Sequence, residues 1–173
     1  MTVDINSSRE LNERDTILGF LTYYRNVLIE KCNGLSDEQA RTTSVPPSEL
    51  NLMGLVRHMA EVERHWFRNI LIGENATSLF CGDSHPSGDQ DGDFHVKPTD
   101  TLSESIAQLR TEISVADVNL ARFKLADLAT RESRPGTGVP NVRWIVVHMI
   151  EEYARHCGHA DLIRESIDGA KSE

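Results

Sequence analysis

Basic residues are in short supply: 18 Lys and Arg stand against 27 Asp and Glu, a formal net charge of −9. Nucleic-acid binding needs a basic face that neutralises phosphates, and this balance argues against it. Cysteine is scarce as well. Cys32, Cys81 and Cys157 are odd in number and far apart, with no CxxC pair. That fits free thiols in a reducing compartment better than a disulfide framework or a cysteine zinc ribbon. No apolar run approaches the ~20 residues that span a bilayer, and the opening MTVDINSSRE lacks the basic-then-apolar order of a signal peptide. The expectation is a cytoplasmic protein. With 39% hydrophobic and 26% charged residues, the chain is expected to fold as one domain, residues 1–173, around a single core.

Familiar catalytic signatures are missing too. There is no GxSxG elbow, no Walker-type loop and no GxGxxG, so hydrolase-elbow, nucleotide and Rossmann readings have no foothold. HExxH is absent. The paired ExxH of carboxylate-bridged di-iron bundles is missing, since neither Glu61 nor Glu152 has a His three residues on.

Helical periodicity is plentiful. The first helix is expected from about Glu13 to Cys32, with Ile17, Phe20, Leu21, Tyr24, Val27 and Leu28 on its apolar face and Lys31 snorkelling at its end. LSDEQA reads as a short helical turn capped by Ser36. After the proline-marked break SVPPSELN, the second long helix runs from about Leu50 to Ile72 on a stripe of Leu52, Leu55, Val56, Met59, Val62, Trp66 and Ile70. Residues 74–100 lose all periodicity, which predicts a long loop. Thr101 and Glu104 open the third helix in a capping-box pattern, with Ile106, Leu109, Ile113, Ala116, Leu120 and Phe123 facing inward. The fourth runs from about Val142 to Ser166 behind an Asn141 cap. No convincing period-two strand appears. Four amphipathic helices with a long loop between the second and third predict an all-α, four-helix bundle.

The fourth helix carries the anomaly. At about 100° per residue, Ile145, Met149, Glu152, His156, Ala160 and Ile163 share one face. A carboxylate on a core-facing stripe is costly unless something compensates it. Glu152 and His156, one turn apart, can share one ion, with a third ligand from His58 or, rotated further toward the polar face, His65. Three protein ligands and an open position describe a catalytic zinc site. The competing readings are a packed His58, a Glu152 ion pair with Arg143 or Arg122, and a surface pairing of His65 with Glu61. His85 and His95 are expected to be exposed in the acidic loop, Cys157 to be a packing thiol, and Trp66 and Trp144 to be core or helix-contact residues.

LVRHMAEVERHWF in the second long helix and EEYARHCGHADLIRE in the last resemble the DinB-like superfamily. They are most similar to the branch of mycothiol-dependent maleylpyruvate isomerase and the bacillithiol S-transferases. The resemblance extends over nearly the whole chain. It implies a helical bundle, often dimeric, with one divalent metal held by His58 and by the last-helix pair Glu152 and His156. Zinc is the expected ion, with nickel or manganese as alternatives. It further implies a thiol-dependent S-transferase or isomerase that joins a low-molecular-weight thiol of the mycothiol or bacillithiol type to a small electrophile. His159, next to the ligand set, is expected to act as a second-shell group. Two other functions fit the same residues. One is a metal-dependent hydrolase using metal-bound water, and the other a non-catalytic, metal-stabilised binding protein.

Overall fold

In the computed structural model, residues 11–82 and 85–171 are described. MTVDINSSRE, residues 1–10, lies outside them. The described residues are all-α: α1 (Glu13–Glu30), a short α2 (Asp37–Arg41), α3 (Leu52–Arg64), α4 (Leu102–Leu120) and α5 (Val142–Asp168). Among the described residues no strand forms; the one β-type pairing is an isolated bridge between Leu128 and Asn141. No helix among them is long and apolar enough to cross a membrane.

Each helix starts where its cap residue places it. Asn12, Ser36, Asn51, Thr101 and Asn141 each accept a backbone N–H from the first turn of the helix that follows. Ser36 and Gln39 complete a reciprocal capping box. α5 ends at Gly169, whose φ of 77° is the left-handed geometry that glycine adopts most readily. The second long helix departs from a uniform α-helix. α3 passes at Arg64 into a π-helical stretch, His65–Ile70, closed by a Leu71 N–H bond to the Trp66 carbonyl at 2.9 Å. Asn119 of α4 donates to the Phe67 carbonyl at 3.2 Å, so the widened turn keeps a buried polar partner.

α1 packs on α5, α3 packs on α4, and α3 and α5 meet between them. Leu28, Leu52, Leu55, Met59, Leu109, Ile145 and Met149 lie at that centre with no solvent exposure. The expected face of α1 is displaced. Phe20 is exposed, whereas Arg25 and Ile29 are buried. The cause is a charged cluster inside the core: Arg25 Nε and Nη2 each donate to Glu63 at 2.7 Å, and Tyr153 Oη donates to the same carboxylate at 2.8 Å. Asp117, at the surface, takes Arg25 Nη1 at 2.8 Å. Burial alone would lower the pKa of Arg25, but the Glu63 carboxylate more than reverses that and raises it above its ordinary value. α1, α3, α4 and α5 all contribute to this cluster.

Candidate metal centre

Asn51 accepts the Gly54 N–H at 2.7 Å and sets where α3 begins. Gly54 leaves space for Phe94, because a Cβ there would stand 2.6 Å from the Phe94 ring. Phe94 stacks on His58, one turn further along, with ring centroids 5.5 Å apart at 29°. Its neighbour Asp93, only 3% exposed, places Oδ2 at 2.8 Å from His58 Nδ1. A carboxylate only accepts, so this contact puts a proton on Nδ1, and in the neutral imidazole Nε2 is then the nitrogen that can ligate an ion.

α5 supplies the opposite wall. His156 is buried and Glu152 half-buried, with Glu152 Oε2 and His156 Nε2 3.6 Å apart. The His58 and His156 rings meet edge to face at 4.8 Å. His58, Glu152 and His156 each present one ligating atom, and these atoms all lie within 4.8 Å of one another. Donors about 3.3 Å apart are what a tetrahedral ion with ~2.0–2.1 Å bonds requires, so the set fits a divalent ion after small side-chain adjustment. Burial, followed by the charges of His58, His159 and Arg155, pulls the His156 pKa down to about 4. The imidazole is therefore neutral at ordinary pH, as a ligand must be.

The surroundings sort the remaining candidates. His159 is half-buried beside His156, with their Nδ1 atoms 3.4 Å apart. His65 does not join the set. It is exposed and rests edge-on against Trp66. The Glu61 carboxylate turns away from His65 to accept the N–H groups of Phe80 and Cys81. Arg143 pairs with Glu13 at 2.7 Å rather than with Glu152. The cation near Glu152 is Arg155, 3.7 Å away and itself held by Glu151. Glu151 and Arg155 are exposed as expected. His148 stands 3.6 Å from Glu152 Oε1 and forms a second close group with Glu151 and Glu152. The two tryptophans divide the expectation between them: Trp66 is buried in the core, while Trp144 is half-exposed and makes a helix contact, its ring 5.3 Å from Trp66 and stacked on His148. In the loop, His95 is exposed and pairs with Asp89, whereas His85 is half-buried against Ser87.

Asp93 is the residue beside this candidate site that the sequence does not single out. It is one of several aspartates in an aperiodic stretch, and only folding brings it under His58. A weak cue existed in Gly92, where a Cβ would lie 2.3 Å from the Phe80 carbonyl oxygen, so that crossing demands glycine.

All three cysteines are poor nucleophiles. Burial pushes the thiols of Cys32, Cys81 and Cys157 up to about 12. A thiol-transfer reaction at this site would need its thiolate from elsewhere.

Residues 16–169 match the family model for mycothiol S-transferases. The chain belongs to the mycothiol S-transferase family. The resemblance to a DinB-like family is thereby borne out. A comparison with curated proteins gives no match. For a mycothiol S-transferase family member, the pairing of a buried neutral imidazole, an oriented His58 and a carboxylate is the feature around which a function can be argued.

Proposed function

We propose that this protein is a metal-dependent thiol S-transferase. In this reading its four long helices form a DinB-like bundle, and His58, Glu152 and His156 hold one divalent ion, zinc in the first instance. The observation that carries it is the convergence of three ligating atoms from α3 and α5 within 4.8 Å in a chain of this family. A bound ion would lower the pKa of a coordinated thiol and so provide a nucleophile at neutral pH.

The protein's own groups prepare that chemistry. Asp93 fixes the His58 tautomer and Phe94 holds its ring plane. His156 stays neutral because it is buried. Glu152 brings the single negative charge of the set, offsetting half the charge of a divalent ion, and Arg155 and His148 flank it. His159 orients His156 from behind. Mycothiol is the thiol the family name supplies, and a small electrophile would be its acceptor.

The test is a stopped assay of zinc-loaded protein with mycothiol and a bimane electrophile, with bacillithiol as a second thiol. The expected result is conjugation well above the uncatalysed rate, lost in Glu152→Ala. Conjugation no faster than without protein, across both thiols, would overturn the reading. Turnover of small esters by the same protein without any thiol would favour the hydrolase instead.

A further inference from the structure

A cavity of about 360 Å³ opens beside His58, and its wall carries charge of one sign. Val62, Trp66 and Phe94 form its apolar and aromatic side; Glu61, Asp91 and Asp93 carry the negative charge of a remainder that also includes His58 and His65, with no Lys or Arg among the described lining residues. The nearest cations are engaged outside it. Arg57 is paired with Asp100 and lies over the Phe80 ring, and Arg64 is paired with Glu112. Arg64 and Arg134 still reach the wall electrostatically, through Glu61 and His65. The Cys81 thiol, which also lines the cavity, reports the balance: after burial, the charges of Asp93, Glu61 and Asp91 push its pKa upward.

We propose that the acceptor entering this cavity is an uncharged or cationic electrophile with a flat or apolar face, and that dicarboxylates are rejected. The proposal rests on the metal-site reading above, since it assigns the acceptor to the space beside His58. With Glu152 and a coordinated thiolate together balancing the charge of a divalent ion, an anion approaching the wall meets the carboxylates of Glu61, Asp91 and Asp93 without a compensating net positive charge, in a space where repulsion between like charges is stronger than in bulk water. The apolar side formed by Val62, Trp66 and Phe94 offers a flat or apolar group a contact surface.

Cys81 is a built-in reporter for this claim, because Cys32 and Cys157 are buried in the core. Three methanethiosulfonate reagents of similar size, neutral methyl, cationic aminoethyl and anionic sulfonatoethyl, are reacted with the protein. Labelling of the Cys81 peptide is followed by mass spectrometry, and each rate is divided by that with an exposed peptide thiol. The neutral and cationic reagents are expected to outpace the anionic one by about tenfold or more, with a smaller gap in Asp91→Asn. Equal rates, or a faster anionic reagent, would overturn the proposal. If Cys81 reacts with none of them, quenching of Trp66 fluorescence in Trp144→Phe decides: caesium more effective than iodide, each relative to free tryptophanamide, supports the proposal, and the reverse ends it. Neither readout needs a bound ion or turnover, so the acceptor class and the transferase reading can fail separately.

Discussion

Asp93 decides which nitrogen of His58 is offered to an ion, and it does so from a loop rather than from a helix. Partners of this kind tune ligands by orienting them, and their loss costs about 10–100-fold in metal affinity. Asp93→Ala is expected to weaken zinc binding by that factor, measured by competition with a colorimetric chelator. Asp93→Asn, which keeps an acceptor for the Nδ1 proton, should lose less. Unchanged affinity in Asp93→Ala would show that the contact is incidental. The thiols make a separate prediction. With pKa values near 12, only a minute thiolate fraction exists at neutral pH. Iodoacetamide labelling of the native protein should therefore climb about tenfold per pH unit through pH 10, with no levelling near the ordinary ~8.5. A plateau near pH 8–9 would show an activated cysteine and reopen a nucleophilic role for it.

Helix faces explain which parts of the fold were legible. The stripes of α3 and α5 show in the sequence because Leu55, Val56, Met59, Ile145, Met149 and Ile163 are apolar at helical spacing, and all are buried. Glu152 and His156 stood out because they interrupt such a stripe. Arg25 and Glu63 escaped notice for the opposite reason: charged residues are read as solvated, yet both are buried and satisfy each other across α1 and α3. The π-helical stretch also leaves no pattern of its own, and a continuous helix was the natural expectation. Loop contacts such as Asp93 to His58 have no periodicity behind them at all. Breaking the internal pair tests its weight. Glu63→Ala leaves Arg25 with the surface Asp117 as its remaining carboxylate partner and the Tyr153 hydroxyl without its acceptor in the core, which is expected to cost about 3 kcal/mol in urea denaturation. A loss under about 1 kcal/mol would mean that water or a shifted Arg25 compensates.

At the scale of the whole molecule, the proposed ion would tie α3 to α5 by bonds that the unfolded chain cannot offer in that arrangement. Ligand binding to the folded state alone stabilises it by mass action, about 2.7 kcal/mol at a hundredfold excess over Kd. Zinc should raise the melting temperature of the wild type and leave that of His58→Ala unchanged. Equal shifts in both would indicate binding elsewhere, for example at His148, Glu151 and Glu152. The measurement that bears most directly on the central claim is the metal content of untagged, purified protein by elemental analysis, alongside His58→Ala and Glu152→Ala. One equivalent of a divalent metal in the wild type, falling sharply in both variants, is the predicted result. A metal-free wild type that takes up no zinc, nickel or manganese, or full occupancy in both variants, would contradict it.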